Sequence, residues 1–227
     1  MCKLCGDKMR INSIIIQNEG YVNCKSSFYS AQDSLSNYSC YSFSSGVNKI
    51  IGEIDSGNWA ISYLLSMYKH RPEDFVLFEQ PKVTVNSQVI SLKELSKVAC
   101  YMDKLDPLFS SNHSVKRLIM QGLDHSKLNC SYDDIKNLFY INSERFERPL
   151  NGVGNEIFKA MAAIGFSYGK EIFCFPWLSN KRFESYHGNL TTLLQILANL
   201  KKIVIMPVGI ERNTGNTGRD EGTFQNH

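Results

Sequence analysis

The spacing of apolar and polar residues predicts strands that alternate with helices along most of the chain. An apolar strand ends at Gly52, and apolar residues then recur at helical spacing from Ile61 to Tyr68. Strand and helix patterns alternate again nearer the C-terminus, as a helix over 156–166, a strand over 171–175, a helix over 189–200 and a strand over 202–208. Apolar strands alternating with helices are typical of a parallel sheet covered on both faces, so we predict an α/β fold.

The N-terminal part of the chain has a different pattern. Short extended segments over 11–16, 20–24 and 38–43 are separated by Asn, Ser and Gly clusters that favour turns. Residues 75–92 predict two further strands with a turn near Asn86 and Ser87, followed by a short helix over 92–99. We therefore expect an antiparallel β layer to precede and flank the mostly parallel sheet.

Helix starts dominate the middle of the chain. Ser114 and Ser131 each precede an amphipathic helical segment, which predicts N-caps and a helical subdomain over roughly 106–150. A loop over 149–154 follows. We expect one domain over 1–210 and a flexible polar tail over 211–227.

Composition and charge narrow the classes of function. The 227 residues are 43% hydrophobic and 21% charged, which excludes collagen-like and low-complexity proteins. The net charge of +3 is too small to indicate a nucleic-acid track, and the basic pairs Lys116–Arg117 and Lys181–Arg182 predict solvated surface. No apolar run reaches about 18 residues, and Ile14–Ile16 is too short for a signal-peptide core. The chain is therefore expected to be cytoplasmic.

Cysteines and histidines give weak signals for metal or redox chemistry. Seven cysteines favour reduced thiols over a disulfide framework, and Cys174 lies in an apolar run that predicts a packed side chain. Cys2 and Cys5 have metal-ligand spacing, but no second pair follows, so a metal site and an ordinary N-terminal segment both remain open. The five histidines form no ligand motif. His187 is expected at a helix start or in a loop.

Glycines at the strand-to-helix junction have the spacing of a phosphate-binding P-loop, Gly-x-x-x-x-Gly. With the order of elements, this motif resembles the ATP-binding cassette (ABC) domain of transporters over nearly the whole chain. A lysine and a serine or threonine follow the second glycine in that family, whereas Asn58 and Trp59 stand here. The predicted nucleotide-binding segment of this degenerate P-loop comprises Gly52, Asp55, Ser56, Gly57, Asn58 and Trp59.

The later motifs of the resemblance also lack their chemical groups. Pro176 and Trp177 occupy the two acidic positions after a strand, and Asp103 stands near the loop that usually supplies glutamine. At the last strand, where the family has histidine, Val208 or a neighbour stands. A degenerate signature loop comprises Leu150, Asn151, Gly152 and Gly154, with Asn151 in place of serine and Val153 in place of a second glycine. The resemblance therefore implies a P-loop NTPase-like scaffold without its catalytic groups.

The resemblance implies a pseudo-ATPase that acts as an interaction or scaffold partner. Its partners would be a transmembrane transport subunit or a second ABC-type domain, in a homo- or heterodimer, without nucleic acid, and a partner could hold it at the inner face of the membrane. ATP binding is expected to be weak and magnesium binding to be lost. The alternative is a slow ATPase that binds ATP through the amides of Ser56, Gly57 and Asn58.

Trp59 and Trp177 have two readings. The two positions meet in the nucleotide cleft of the resembled fold, so the indoles could pack together and fill the emptied site. Equally, each could be a separate core aromatic. Asp103 is similarly open between a solvated carboxylate and a partner contact.

Overall fold

The structure is a computed structural model and describes residues 10–18, 22–26, 29–30, 39–52, 58–67, 75–77, 81–110 and 112–209. The strands are β1 (Ser13–Asn18), β2 (Val22–Ser26), β3 (Tyr29–Ser30), β4 (Ser39–Ser44), β5 (Gly46–Ile51), β6 (Phe75–Leu77), β7 (Lys82–Val85), β8 (Gln88–Ile90), β9 (Ala99–Tyr101), β10 (Ile172–Cys174) and β11 (Ile203–Val208). The helices are α1 (Asn58–Met67), α2 (Leu92–Val98), α3 (Val115–Ser126), α4 (Tyr132–Phe139), α5 (Ser143–Phe146), α6 (Ile157–Ser167), α7 (Asn180–Ser185) and α8 (His187–Asn199).

A four-stranded parallel sheet forms the centre of the fold, in the order β5-β11-β10-β9. Strands β9, β10 and β11 are apolar because both faces are covered, whereas the edge strand β5 also carries Asn48 and Lys49. In β10, Ile172 and Cys174 enter the core on one face, whereas Phe173 and the following Phe175 enter the core on the other. The predicted α/β class with a parallel sheet is confirmed.

An antiparallel sheet in the order β4-β1-β7-β8 forms the predicted second layer. The turn between β7 and β8 lies at Asn86 and Ser87, as predicted, with φ of 47° and 68°. Asparagine tolerates this left-handed region, and the Asn86 amide oxygen also accepts a hydrogen bond from the Asn12 amide at 2.8 Å. Between β4 and β5 the chain passes from one sheet to the other at Gly46, where a φ of 108° favours glycine.

The two faces of the parallel sheet bury separate cores. On one face, α1 and α2 pack with the inner side of the antiparallel sheet, and this core includes Leu65, Leu95, Ile14 and Val83. On the other face, α6 and α8 cover the sheet, and α6 also packs against α3 and α4. Since α6 lies inside this layer, nearly all of its residues are buried.

The helix starts predicted within 106–150 are present. The Ser114 hydroxyl accepts a hydrogen bond from the Arg117 amide at 3.3 Å, and Ser131 forms a reciprocal capping box with Asp134. These caps satisfy amides that a helix leaves free in its first turn. These contacts do not test the predicted limits of the helical subdomain, roughly 106–150.

Three local predictions were incomplete or wrong. The helix expected over 92–99 ends at Val98, and Ala99–Tyr101 form β9, a buried strand too short to show alternation. The short helix α7 was not predicted, and the loop over 149–154 contains 3₁₀ turns at Leu150–Gly152 and from Gly154. Tertiary pairing with β10 explains why β9 adopts an extended conformation.

Candidate functional site

The carboxyl ends of the four parallel strands bring several of the predicted positions to one edge. Gly52 follows β5, Val208 ends β11, Trp177 follows β10 and Asp103 follows β9. Open α/β sheets bind ligands at this edge. The edge is therefore the candidate functional site.

Hydrogen bonds close the part of this edge between β10 and β5. The Trp177 indole Nε1–H donates to the Gly52 carbonyl at 3.0 Å, across the intervening β11. The Gly52 amide donates to the Val208 carbonyl, also at 3.0 Å. Both backbone groups of the first glycine of the predicted P-loop are thus engaged within the protein.

The remaining P-loop positions are only partly described. Asp55, Ser56 and Gly57 lie outside the described residues, and Asn58 is the first residue of α1. Trp59 is 2% exposed and lies in the core between α1 and the sheet, where its ring packs edge-on against Tyr63. Of the two predicted readings, Trp59 follows the core aromatic one.

Trp177 has features of both interpretations, a core aromatic and a ring that fills the cleft. It is half-buried and packs against the same core that contains Trp59, while its indole reaches the strand-end backbone. Its ring therefore covers the strand edge at the position where the resemblance expects an acidic group. Pro176 precedes it and lines a neighbouring cavity.

The described residues that stand in place of the strand-end acids do not fit magnesium. Mg²⁺ is held by oxygen ligands, usually carboxylates, in octahedral geometry. Pro176 offers no ligating side chain, the Trp177 indole is only a donor, and the Gly52 carbonyl already accepts that donor. Across the described ranges, no cluster of three His, Cys, Asp or Glu side chains is arranged as a metal site.

The predicted signature loop lies at the N-terminus of α6 and is clasped by an arginine. Arg145 Nη1 lies 3.2 Å from the Val153 carbonyl and 2.7 Å from Asn155 Oδ1. It also lies 3.3 Å from Glu156 Oε2, and Gly154 adopts a φ of 62° within the clasped loop. Glu156 directly precedes α6, where a carboxylate complements the positive end of the helix dipole.

The other predicted signature positions, 150–152, precede Val153 in the same loop. Leu150 is buried in the core, whereas Asn151 and Gly152 are exposed. The sequence interpretation missed both Arg145 and Glu156. Their only signal was the charge of two residues eleven positions apart, and nothing in that spacing predicts contact.

Asp103 lies in the turn after β9 and binds its own backbone. Its carboxylate accepts a hydrogen bond from the Leu105 amide at 3.0 Å. Sequence reasoning missed the neighbouring Asp106, which is buried and accepts from the Tyr101 amide at 2.7 Å and the Leu108 amide at 2.9 Å. These bonds assign Asp106 to holding the turn after β9, because they satisfy its carboxylate within the chain.

A cavity of about 300 Å³ lies beside this turn. It is bounded by the segments after β9 and β10 and by the first turns of α6 and the region of α7. Asp103 and Pro176, both predicted site residues, lie in its wall.

Two of the described cysteines show no feature of a reactive thiol. Cys174 and Cys100 are buried, and burial raises the pKa of both thiols above the usual range. The prediction that Cys174 is a packed side chain is confirmed. Cys2 and Cys5 lie outside the described residues, as does the predicted tail over 211–227.

The comparisons with known proteins find similarity in structure alone. No protein-family profile and no curated protein sequence matches the chain. A Pyrococcus furiosus protein named as an ABC transporter ATP-binding protein superposes with a TM-score of 0.60 at 13% identity, covering 88% of this chain and 94% of that one. The fold is that of an ABC ATP-binding protein.

A second ABC structure gives the same result. A bacterial Atm1-family ABC exporter with ATP bound matches with a TM-score of 0.56 at 12% identity, over 90% of this chain. The match spans only 35% of the exporter chain. At such identities the likeness establishes the ABC ATP-binding fold and no activity. Within the described residues, no helix has the length and apolarity needed to cross a bilayer.

Proposed function

We propose that this chain is a degenerate ABC-type ATP-binding subunit, a pseudo-ATPase that acts as an interaction or scaffold partner of a transporter or a second cassette domain. The ABC ATP-binding fold supports the subunit class. The hydrogen bond from Trp177 to Gly52 carries the pseudo-ATPase part of the proposal. Trp177 stands where the resembled family has a strand-end acid, and its indole forms a hydrogen bond that connects the ends of two strands.

Energetics favour weak nucleotide binding. In the resembled family, the P-loop lysine neutralises phosphate and the strand-end acid helps to hold magnesium. Each charged hydrogen bond contributes about 1.5 to 3 kcal/mol, so losing the lysine and the metal ligands weakens ATP binding by roughly 4 kcal/mol or about a thousandfold. Hydrolysis depends on the same groups for positioning and charge, and we expect it to be lost.

The N-terminus of α6 also supports weak nucleotide binding, here at a site shared between two subunits of a dimer. The resemblance implies a sandwich in which one subunit's signature loop faces ATP on the other subunit. Here Glu156 stands at the helix start and pairs with Arg145, so a carboxylate of this chain already complements the positive end of the helix dipole that would face a phosphate. An asymmetric dimer remains compatible with this arrangement, since a partner with an intact P-loop could use Asn151 and Gly154 of this chain.

The ABC ATP-binding fold supports the proposed partner classes. We place the chain in the cytoplasm, peripheral to the membrane through a transmembrane transport subunit, and we expect no nucleic acid partner. ATP, where it binds at all, would act as a weak ligand without magnesium. The chain would then contribute shape to the complex while turnover occurs elsewhere.

A nucleotide titration tests the pseudo-ATPase. The full chain is titrated with a fluorescent ATP analogue with and without magnesium, and phosphate release is followed in parallel, with an active P-loop ATPase as the positive control. We expect no submicromolar binding, no gain from magnesium and no phosphate release. Submicromolar binding with measurable phosphate release would reinstate a working ATPase.

The partner role needs a separate experiment. Affinity-tagged full chain is purified from its native cells in mild detergent, and the bound proteins are identified. We expect a multi-spanning membrane protein or a second ABC-type protein. Recovery of neither would contradict the scaffold role, whatever the outcome of the nucleotide titration.

A further inference from the structure

The cavity after β9 and β10 has the location and size of a small-ligand site. Its volume of about 300 Å³ is at the lower end of the range for such sites, and it lies at the carboxyl edge of a parallel sheet. Trp177, whose indole closes the edge at Gly52, does not line this cavity.

The inner wall is apolar and preformed. Met102, Met161 and Leu178 line it and are almost fully buried. Phe158 also lines it, and its ring centroid lies 5.4 Å from that of Phe175 and 5.2 Å from that of Tyr186. Contacts with these two rings restrain Phe158, so an apolar ligand would meet a largely preformed surface.

The mouth of the cavity is positively charged. Lys104 and Arg182 line it with exposed side chains, and Asp103 is the acidic lining residue. The Asp103 carboxylate already accepts the Leu105 amide at 3.0 Å. Among the described residues, neither the Lys104 nor the Arg182 side chain forms a hydrogen bond or an ion pair with another group, so both cations are available to an anion.

We propose that this cavity binds a small monocarboxylate with an apolar body, such as a short aliphatic acid. The chain of the acid would lie against Met161 and Phe158, and its carboxylate would lie at the mouth near Lys104 and Arg182. An arginine guanidinium suits a carboxylate because it can donate two parallel hydrogen bonds. The apolar wall disfavours a triphosphate, so this ligand is distinct from a nucleotide.

Calorimetric titration of the full chain with octanoate tests the proposal. We expect saturable binding to one site, weakened about tenfold by Arg182→Gln and by Lys104→Gln because each removes a charged hydrogen bond. Lys181→Gln is the matched control, since Lys181 is an exposed cation adjacent to Arg182 that does not line the cavity. It is expected to bind octanoate as the unchanged chain does.

Two probes and one further variant separate the charge from the apolar wall. Octylamine and octan-1-ol carry the same chain without the anion, and we expect both to bind at least tenfold more weakly than octanoate. Ile157→Trp adds bulk to a half-buried residue of the wall and should abolish binding.

Absence of saturable octanoate binding, equal binding of the three probes, or binding unaffected by Arg182→Gln and Lys104→Gln would each overturn the proposal. Because this titration uses neither nucleotide nor partner, its failure is distinguishable from failure of the pseudo-ATPase.

Discussion

Trp177 connects two strand ends that carry no direct pairing with each other. Its indole Nε1–H donates to the Gly52 carbonyl at 3.0 Å, and β11 lies between β10 and β5. Most contacts of this edge are backbone hydrogen bonds between neighbouring strands, whereas this one depends on a side chain. Substitution of Trp177 therefore tests how much the closure contributes to stability.

Trp177→Phe removes this donor and keeps an aromatic ring. The Gly52 carbonyl loses its partner in a half-buried environment, so we expect the free energy of unfolding to fall by about 1 to 2 kcal/mol. Urea unfolding followed by circular dichroism measures the change. Tyr140→Phe, at a residue that is 70% exposed, is the control and should change stability by less than about 0.5 kcal/mol. Equal stability of Trp177→Phe and the unchanged chain would show that the bond does not hold the edge.

Arg145 gives a second test at this scale. Arg145→Gln removes the contacts to the Val153 carbonyl, Asn155 and Glu156, and we expect a loss of about 1 kcal/mol because the guanidinium is partly exposed. Chemical unfolding measures the loss. Arg117→Gln removes an exposed arginine from α3 without these contacts and should be near neutral. A similar effect of the two variants would mean that the clasp contributes little.

The layer of helices over the parallel sheet depends on one close crossing of α3 and α6. A Cβ atom at Gly122 of α3 would lie 2.6 Å from Cδ2 of Tyr168 and would also overlap the hydroxyl of buried Ser167. Glycine within a helix normally costs about 1 kcal/mol relative to alanine. Here the absence of a side chain allows the two helices to pack closely.

Gly122→Ala should therefore destabilise the protein although alanine favours helix. We expect overpacking at Ser167 and Tyr168 to lower the free energy of unfolding by about 1 to 3 kcal/mol, measured by urea unfolding. Gly188→Ala in α8 is the matched control, since a Cβ there has no neighbour within 4 Å. It should be neutral or stabilising by up to about 1 kcal/mol. The same sign of change in both variants would contradict the close crossing.

Sequence patterns predicted the elements whose signals are local. The helix starts at Ser114 and Ser131 and the turn at Asn86 and Ser87 follow from side chains that bind neighbouring backbone or tolerate positive φ. β9 was missed because three residues cannot display a period, and its extended form depends on pairing with β10. Local rules therefore located most elements but not the short ones fixed by distant pairing.

For the candidate site, the sequence order predicted where some residues lie but not the contacts of their side chains. The order of elements placed Gly52 and Trp177 just after strands, as the structure does, whereas the strand that precedes Asp103 was missed. The hydrogen bond from the Trp177 indole to Gly52 joins residues 125 positions apart. The contacts of Arg145 reach residues up to 11 positions away, and both sets depend on the direction in which a side chain points. Spacing carries no information on such contacts, because they are set by the packing of separate elements.

The two cores of the molecule share one sheet, and each contains a buried thiol. Cys100 of β9 lies in the core beneath α6, whereas Cys174 of β10 lies in the core beneath α1. Burial raises the pKa of both thiols, so both stay protonated in the folded protein at pH values where an exposed thiol ionises. Because adjacent paired strands carry them, the loss of either core would disrupt the sheet that supports the other.

We predict that stability falls as pH rises above the pKa of an exposed thiol, about 8.5. There the unfolded chain releases the two protons and the folded chain keeps them, so the free energy of unfolding decreases by up to about 1.4 kcal/mol per pH unit for each thiol. Urea unfolding between pH 8 and 10 measures the slope. The Cys100→Ala/Cys174→Ala variant, although less stable at every pH, should lose this part of the slope while other groups titrate as before. Parallel pH profiles for the variant and the unchanged chain would show that the two thiols do not contribute, since only the proton release of Cys100 and Cys174 differs between them.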